Sequence, residues 1–413
     1  INTGNPSLTN RNLANAGTVN QAPPNYLTVT GTGGTLTNLS GGLWDFQNNT
    51  VFNVGGVWMF DNQAGATLRK STTSGTLPFN IPLTNAGTVD VDGGTFSIDS
   101  GGSATGLFDL AAGSTLRFNS NFTLNAGSTF SSTGLIHLAS GTLTLARGSV
   151  FAPATSILFT GGTLTGADEF NTGNNITTTW RGGTMTGAGL TKIDTGGTLA
   201  INTGNPTLSA RNLTNAGTVN LSPPNYLILT GTGGTLSNLS GGLWDFQNNT
   251  AFSVSGTWGF DNQAGATLRK STTTGTLFFN VPLTNAGTVD VDGGTFSIDG
   301  GGSATGLFDL VAGSTLKFNS NFTLGAGSTF SSTGLIQLAN GTLTLARGTA
   351  FAPATNFSFT GGTLTGADDF NTASGITTTW TGGTMSGAGT SKVLAGGTLA
   401  INTGNPTLSA RNL

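Results

Sequence analysis

The heptapeptides AGTVDVD (Ala86–Asp92) and GGTFSID (Gly93–Asp99) carry the pattern that decides the fold of this chain. Each begins with a small residue, glycine and threonine, and then alternates apolar with polar side chains. AGSTLRF (Ala112–Phe118) and SGTLTLA (Ser140–Ala146) repeat the arrangement with small changes. Because successive residues of a β-strand point to opposite faces, each segment predicts a short strand with one buried and one exposed face.

Aligning such segments produces columns of residues at a nearly regular spacing. The first apolar column is Trp58, Leu77, Phe96, Leu116, Ile136, Ile157. The second apolar column is Phe60, Phe79, Ile98, Phe118, Leu138, Phe159. The column between them is chemically mixed: Met59, Pro78, Ser97, Arg117, His137, Leu158. We therefore expect the two apolar columns to face a core and the mixed column to face solvent, with Pro78 as an exception inside a predicted strand.

Further columns predict two more faces. One has regularly spaced apolar residues, with threonines beside them as the outward column: Phe122, Leu143, Leu164, Met185 and Thr123, Thr144, Thr165, Thr186. Another has the pairs Val89 with Phe108 and Phe130 with Phe151. Three strands per turn of about 20 residues, joined by Gly- and Asn-rich corners, predict an all-β chain folded as a parallel β-solenoid, or β-helix. The general rule for parallel crossovers makes it right-handed.

A longer repeat encloses this short one. INTGNPSLTNRNL at Ile1–Leu13 returns as INTGNPTLSARNL at Ile201–Leu213 and Ile401–Leu413. The chain is thus predicted to contain units 1–200 and 201–400 and the start of a third at 401–413, in one continuous, uncapped solenoid with about ten rungs per unit. At a strand spacing of about 4.8 Å, each unit would advance roughly 48 Å.

The two full units test the predicted inside and outside. They differ at 39 positions, with no insertion or deletion. The mixed column changes at five of its six positions, whereas only Ile157 changes in the two apolar columns, becoming Phe357. An inserted residue would turn every following side chain to the wrong face, so constant length also fits stacked rungs.

Composition excludes several classes of protein. The 413 residues include 67 Gly and no Cys, only 8% are charged, and the formal net charge is −3. Strong helix formers are scarce on what would be exposed positions, which favours β-structure. The absence of a basic cluster argues against nucleic-acid binding, and no apolar run reaches the roughly 20 residues of a membrane helix. Disulfides, thiolate metal sites and cysteine nucleophiles are excluded by the cysteine count.

Carboxylates are the best candidates for chemistry. Asp90, Asp92 and Asp99 lie close in sequence, and Asp109, one predicted turn after Asp90, is expected beside it on the next rung. Stacked carboxylates about 5 Å apart repel and favour a raised pKa, a bound cation or a pair of catalytic acids. The second unit repeats the cluster at Asp290, Asp292, Asp299, Asp309. With Arg117 the one basic residue expected nearby, a solvated surface is favoured over a Ca²⁺ site, and a Ca²⁺ site over catalysis.

Other candidate residues favour structural interpretations. His137 is the one histidine, and its counterpart is Gln337, so a catalytic role is disfavoured against a surface position. Trp58 lies in an apolar column and is expected in the core, whereas Trp44 and Trp180 are left open as either core residues or sugar-stacking platforms. We assign no catalytic, cofactor-binding or metal-binding residue.

Two further patterns are common in such a composition. The outward Thr columns are similar to those of ice-binding solenoids, but threonine is also well suited to any exposed strand. The glycosylation sequons at Asn38 and Asn121 are expected by chance in a chain rich in Asn, Ser and Thr.

The repeated GGTL, NAGTV and GSTF units, in a chain with no cysteine and few charges, resemble the right-handed β-helix repeats of large bacterial surface proteins. These are autotransporter passengers and filamentous-haemagglutinin-type adhesins. The resemblance implies export to the cell surface, an adhesive or scaffolding role, and folding after secretion. The near-identical 200-residue period favours a long structural fibre.

The sequence therefore predicts a structural protein, a segment of a long extracellular or cell-surface β-solenoid filament. The expected partner is the protein itself, through end-to-end or covalent continuation and lateral bundling. Two alternatives stay open: an adhesin that binds glycans or host surfaces, and a carbohydrate-active β-helix enzyme that uses Asp90 and Asp109. We expect no enzymatic activity, no cofactor, no nucleic-acid partner and no membrane insertion.

Overall fold

A computed structural model describes residue 1 and residues 3–413. Strands make up 52% of the chain, and the described residues include no helix. The strands are parallel and stack about 21 residues apart, which forms a β-solenoid of about 19 turns. The prediction of an all-β parallel solenoid is confirmed.

Most strands are short and are separated by glycine-containing corners. In chain order, β1 to β27 are Ser7–Thr9, Leu13–Asn15, Thr18–Gln21, Leu27–Thr30, Gly34–Asn38, Leu43–Phe46, Phe52–Val54, Trp58–Asn62, Thr67–Lys70, Thr76–Phe79, Leu83–Asn85, Thr88–Val91, Thr95–Ile98, Gly102–Ala104, Leu107–Leu110, Thr115–Phe118, Phe122–Asn125, Thr129–Ser132, Leu135–Leu138, Thr142–Ala146, Ile157–Phe159, Thr163–Gly166, Phe170–Thr172, Thr177–Trp180, Thr184–Met185, Thr191–Ile193, Thr198–Ile201.

The strands of the second period follow the same order. In chain order, β28 to β53 are Thr207–Ser209, Leu213–Asn215, Thr218–Leu221, Leu227–Asn238, Leu243–Phe246, Phe252–Asn262, Thr267–Lys270, Thr276–Phe279, Leu283–Asn285, Thr288–Val291, Thr295–Ile298, Gly302–Ala304, Leu307–Leu310, Thr315–Phe318, Phe322–Gly325, Thr329–Ser332, Leu335–Leu338, Thr342–Ala346, Phe357–Phe359, Thr363–Gly366, Phe370–Thr372, Thr377–Trp380, Thr384–Met385, Ser391–Val393, Thr398–Ala400, Thr407–Leu408.

Two compact units divide the chain. The first contains Ile1–Lys192, Gly197–Leu199 and Pro206–Arg211, and the second contains Ile193–Gly196, Ala200–Asn205 and Asn212–Leu413. In the first unit, face one is formed by β10, β13, β16, β19, β21, β24. Face two is formed by β2, β5, β8, β11, β14, β17, β20, β22, β25, β28. Face three is formed by β3, β6, β9, β12, β15, β18.

The observed register confirms most predicted columns. On face one, the residues of the predicted first apolar column from Leu77 to Ile157 are in register with one another on successive strands. On face two, the predicted apolar column from Phe122 to Met185 is likewise in register on successive strands. On face three, Val89 is in register with Phe108. The side chains of these columns are buried, so the alternation of apolar and polar residues did identify the core.

The start of the two apolar columns was predicted wrongly. Trp58 and Phe60 belong to β8 on face two, where Phe60 is in register with Leu83 rather than with Phe79. Met59 accordingly lies outside the mixed column. The cause is the length of the turns. More residues separate Phe60 from its partner Leu83 than separate Leu83 from its partner Gly102. Longer corners between residues 13 and 83 therefore shift the register that a uniform spacing assumes.

Pro78 lies in β10, which is the edge strand of the face-one sheet in the first unit. An edge strand tolerates proline because the missing N–H has no ladder partner on the open side. In the second unit Phe278 takes this position and forms a parallel bridge with Thr250. The proline is thus compatible with a strand that ends a sheet.

The second unit has the same three faces. Face one is formed by β35, β38, β41, β44, β46, β49, β52. Face two is formed by β29, β31, β33, β36, β39, β42, β45, β47, β50, β53, and the face-three strands of this unit are β30, β32, β34, β37, β40, β43. It differs in having two long strands, β31 and β33, which pair along their lengths with one irregularity between Thr232 and Gly234.

Aromatic side chains fill much of the interior. The rings of Phe108 and Phe130 stack with centroids 5.1 Å apart, and Trp44 meets Phe60 edge-on at 5.1 Å. Such stacked and edge-on ring contacts add to the free energy gained by burying apolar area. The backbones of neighbouring turns also lie close together at Gly102, whose φ is +132°. A Cβ atom added there would lie 1.9 Å from the Leu83 carbonyl oxygen. Only glycine fits this position.

Candidate functional site: the outward columns and the buried polar groups

The predicted acidic cluster lies on the outward side of face three. There Asp90 is in register with Asp109 on the next turn, as the sequence predicted. On the preceding turn the same position is Arg69, and Asp45 precedes Arg69. The column therefore alternates a carboxylate, a guanidinium and two carboxylates, rather than stacking acids alone.

Arg69 neutralises part of this cluster. Its Nε and Nη2 donate hydrogen bonds to Asp92 Oδ2 at 2.8 and 2.6 Å, and its Nε lies 3.4 Å from Asp90 Oδ2. Burial and the neighbouring Asp92 carboxylate raise the pKa of Asp90, and Arg69 opposes that rise. Sequence reasoning named only Arg117 as a nearby base, although Arg69 lies one turn before Asp90 on this face.

Asp99 is not part of the acidic cluster. It follows β13 on face one, where Ser97 Oγ donates to its Oδ1 at 2.6 Å and Asn119 Nδ2 donates at 3.0 Å. Ser97 was expected to face solvent, but it lies between Pro78 and Arg117 in register and is only 1% exposed. Its outward direction was correct, while its exposure was not.

The acidic side chains of the described residues form no cluster that could hold a metal ion. Among residue 1 and residues 3–413, no group of three or more His, Asp or Glu side chains is placed to hold a metal ion. The second unit repeats the first, with Arg269 Nη2 donating to Asp292 Oδ2 at 2.5 Å and Arg269 Nε 3.6 Å from Asp290 Oδ2. The outward acids therefore form ion pairs with an arginine in both units.

His137 lies on the outward side of face one, as expected. Its Nε2 is 2.8 Å from Thr160 Oγ1, and it is in register with Arg117. Burial lowers the pKa of His137, and the charges of Arg117 and Arg181 lower it further. In the second unit Gln337 Nε2 donates to Thr360 Oγ1 at 3.4 Å, so the amide takes the place of the imidazole.

The tryptophans are core residues. Trp44 and Trp180 are fully buried, and Trp58 is 2% exposed. Trp180 stacks on Phe159 with centroids 6.0 Å apart and planes 6° from parallel. The core expectation for Trp58 is confirmed, and none of the three can serve as a sugar-stacking platform on the surface.

Threonines line the outward side of face two on four successive turns. Thr142, Thr163, Thr184 and Thr207 are in register, and Thr144 pairs with Thr165 in the neighbouring column. The sequon at Asn38 is inaccessible, because Asn38 is 0% exposed. Asn121 is exposed, and its Oδ1 accepts the Thr142 N–H at 2.9 Å.

A buried asparagine ladder, which sequence reasoning missed, crosses successive turns of each unit. Asn15 Nδ2 donates to Asn38 Oδ1 at 2.7 Å, Asn38 Nδ2 to Asn62 Oδ1 at 3.0 Å, and Asn62 Nδ2 to Asn85 Oδ1 at 2.8 Å. The same amides also donate to backbone carbonyls, including that of Thr67. The second unit repeats the ladder at Asn215, Asn238, Asn262, Asn285. The recurrence of asparagine at steps slightly longer than the apolar spacing was the available signal.

Buried cations hold corner carbonyls together. Lys70, which is 0% exposed, donates from Nζ to the Thr72 and Gly93 carbonyl oxygens, both at 2.7 Å, and to Thr72 Oγ1 at 2.8 Å. Its counterpart Lys270 makes the same contacts, and burial lowers the pKa of Lys270 to about 8. Arg211 likewise donates to the Thr186 and Leu190 carbonyl oxygens, and burial lowers its pKa to about 10.

The cavities found among the described residues are either very small or open to solvent. The interior cavity lined by Ile136, Phe159 and Met185, among others, measures about 10 Å³, which is too small for a substrate. A solvent-open groove of about 350 Å³ lies along Ser114, Thr133 and Thr155, and the second unit repeats it. In the described chain no helix is long and apolar enough to cross a membrane.

Comparison with known proteins assigns the chain to no family. No family model matches the chain, and no curated protein is significantly similar to it. Among solved structures, it is similar to a hyper-glycosylated TibA fragment whose glycosylation is catalysed by TibC. The identity is 12% and the TM-score 0.21, over 98% of this chain and all of that one.

Proposed function

We propose that this chain is a structural protein, a segment of a long extracellular β-solenoid filament built from tandem 200-residue units. The observation that carries the proposal is the stacking within each unit, where successive turns are joined by backbone hydrogen bonds on three faces and by the asparagine ladder inside. A stack joined in this way resists bending and stretching, because a turn is released only when its hydrogen bonds to both neighbours break.

Three further features support a filament at the cell surface. The two full units match without insertion or deletion, which is what a continuous solenoid requires. Lysine and arginine total 14, and among them Lys70 and Lys270 are buried, so few cleavage sites are open to trypsin-like proteases. The resemblance of the GGTL, NAGTV and GSTF units to bacterial surface β-helix repeats supports export.

Electron microscopy of cells that make the native protein, labelled with gold-conjugated antibody against the repeat, tests this proposal. We expect gold along thin threads outside the cell, and threads that survive trypsin treatment. Labelling confined to the cell interior, or to discrete particles, would contradict it. If the threads disappeared from cells treated with a low concentration of trypsin, that loss would argue against a rigid stack.

A carbohydrate-active enzyme is the competing proposal that the acidic column raises. Asp90 and Asp109 are adjacent, but Arg69 lies within 3.4 Å of Asp90, and the second unit repeats the arrangement. We expect the double substitution Asp90→Asn and Asp109→Asn to change no activity of the chain on polysaccharide substrates. A loss of hydrolysis in that variant, with its fold intact, would establish the enzyme instead.

A further inference from the structure

Face one of the first unit carries two arginines on either side of one polar pair that includes a histidine. The pair is His137 and Thr160, whose Nε2 and Oγ1 are 2.8 Å apart. Arg117 is in register with His137 and lies one turn before it. Arg181 lies one turn after Thr160, because its backbone N–H donates to the carbonyl of Phe159 at 2.8 Å. The two arginines therefore lie on the turns that flank the pair.

The charges of these residues act on one another without a neutralising partner. Arg117 and Arg181 both lower the pKa of His137, in addition to the effect of its burial. In the described part of the chain no carboxylate forms an ion pair with either arginine. The carboxylate of Asp99 faces outward on the same face, where it accepts hydrogen bonds from Ser97 and Asn119. This surface is thus locally basic in a chain of net charge −3.

The second unit keeps the polar pair but loses two of the basic groups. Lys317, Gln337 and Thr381 stand where Arg117, His137 and Arg181 stand in the first unit. Gln337 still donates to Thr360 Oγ1, so the local backbone and the polar contact are alike. The units therefore differ here in charge rather than in structure.

We propose that Arg117, His137 and Arg181 form a binding site for an acidic polysaccharide, whose carboxylate or sulfate groups lie over the pair of His137 and Thr160. A guanidinium fork suits the paired oxygens of either group. The surface is an open strand face, which fits an extended chain crossing several turns better than a small ligand. Nucleic acid is disfavoured, because three basic groups are a small footprint for a phosphate backbone.

The test measures binding of the whole chain to immobilised polygalacturonate and to dextran sulfate. The matched variant is Arg117→Lys with His137→Gln and Arg181→Thr, since the second unit already accommodates those residues at the same positions. We expect binding by the natural chain at low salt, weaker binding at high salt, and a loss of about 10-fold or more in the variant, equivalent to about 1.4 kcal/mol. Retained affinity in the folded variant would overturn the site.

Two controls make the outcome specific. Ala14→Thr with Val29→Leu and Ile81→Val also exchanges first-unit residues for second-unit residues, but away from this surface, and should leave binding unchanged. The reciprocal variant, Lys317→Arg with Gln337→His and Thr381→Arg, should raise the number of sites per chain from one to two. An equal loss in the first control, or no added site in the second, would contradict the assignment.

Further arms identify the ligand and the role of the imidazole. Preference for polygalacturonate or for dextran sulfate distinguishes carboxylate from sulfate as the recognised group. Duplex DNA binding more tightly than both would overturn the polysaccharide in favour of nucleic acid. Because protonated His137 adds a positive charge between Arg117 and Arg181, affinity should rise as pH falls from about 7.5 to about 5. His137→Gln alone should remove that rise, and an unchanged pH profile would exclude the imidazole from the site.

Discussion

The two units reach the same fold with different polar groups at one point of the interior. In the first unit Gln21 is buried, and its Nε2 donates to the Thr50 and Val51 carbonyl oxygens at 2.6 and 2.5 Å. In the second unit this residue is Leu221. There Thr250, the counterpart of Thr50, instead bridges to Phe278, which has the N–H that Pro78 lacks. The equivalent residues Thr50 and Thr250 are thus contacted by a side-chain amide in the first unit and by a backbone bridge in the second.

Three other polar networks are the same in both units. The asparagine ladder, the lysine in its carbonyl cage and the arginine between two aspartates all recur. Of the 39 exchanges between units, those at Arg117, His137 and Arg181 lie on the outward side of face one. Exchanges also occur in the core, where Val29 and Ile81 are replaced by the similar side chains of Leu229 and Val281.

The largest expected effect follows from breaking the ladder. Asn38→Leu would leave the Asn15 amide, the Asn62 oxygen and the Thr67 carbonyl without their partner. Each unsatisfied buried group costs about 1–3 kcal/mol, so we expect a loss of roughly 4 kcal/mol in the free energy of unfolding. Urea unfolding monitored by tryptophan fluorescence measures it.

The matched variants of that experiment test whether the units are equivalent. Asn238→Leu should destabilise the second unit as much as Asn38→Leu destabilises the first, with hydrogen exchange locating each loss. Thr37→Ser, the exchange that the second unit already contains beside its ladder, should be neutral. Unequal losses in the two units would show that the ladder does not have the same role in both.

A smaller effect is expected from exchanging the compensating residues. Gln21→Leu alone removes the donor for the Thr50 and Val51 carbonyl groups, at a cost of about 2 kcal/mol. Pro78→Phe alone should change stability by less than about 1 kcal/mol. The double variant should recover most of the loss, with a coupling energy of about 1 kcal/mol in a double-mutant cycle. Additive effects would refute the compensation.

The acidic column should give a weak dependence of stability on pH. Since the folded-state pKa of Asp90 is raised, its contribution to stability is complete below its unfolded pKa of about 3.9 and is lost as pH rises through the folded value. Asp90→Asn should remove that decline, changing stability at pH 7 by less than about 1 kcal/mol. Asp290→Asn should behave alike, and a steeper decline in either variant would contradict the assignment. Denaturation midpoints between pH 4 and 7 measure the effect.

The smallest effect concerns a single proton. Because the chain has one histidine, an NMR titration reports His137 without overlap. Burial and the two arginines lower its pKa, so we expect a midpoint below about 6.5, and stability that rises with pH until that unfolded value is passed. Arg181→Thr should move the midpoint upward. A midpoint above that unfolded value in the natural chain would show that the arginines do not act on the imidazole.

How much of the fold and of the acidic column could be predicted from the sequence depended on the number of residues in each turn. Between Leu77 and Ile157 the turns are nearly uniform in length, and a fixed spacing found the register, the core and the pairing of Asp90 with Asp109. Trp58 was misplaced because the turn that joins Phe60 to Leu83 is longer than those that follow it. Corners can absorb extra residues without disturbing the strands, so spacing alone does not reveal where they do so.

The buried polar groups were missed for a different reason. Apolar and polar alternation assigns Asn38 and Lys70 to corners or to the surface, yet both are fully buried. Their burial depends on partners on neighbouring turns, such as Asn62 for Asn38, and these partners lie a full turn away in the sequence. Arg69 was overlooked likewise, because its contact with Asp92 crosses a turn.

The central claim is that repeated turns stack into a filament, and its axial repeat tests that claim most directly. Cryo-electron microscopy or fibre diffraction of the native material should show a layer spacing of about 4.8 Å, as expected for parallel strands. It should also show a longer period of roughly 44 Å, because about 19 turns in 413 residues place about 9 turns in each 200-residue unit. Discrete particles without a longer axial period would contradict the filament and favour the adhesin or enzyme alternatives.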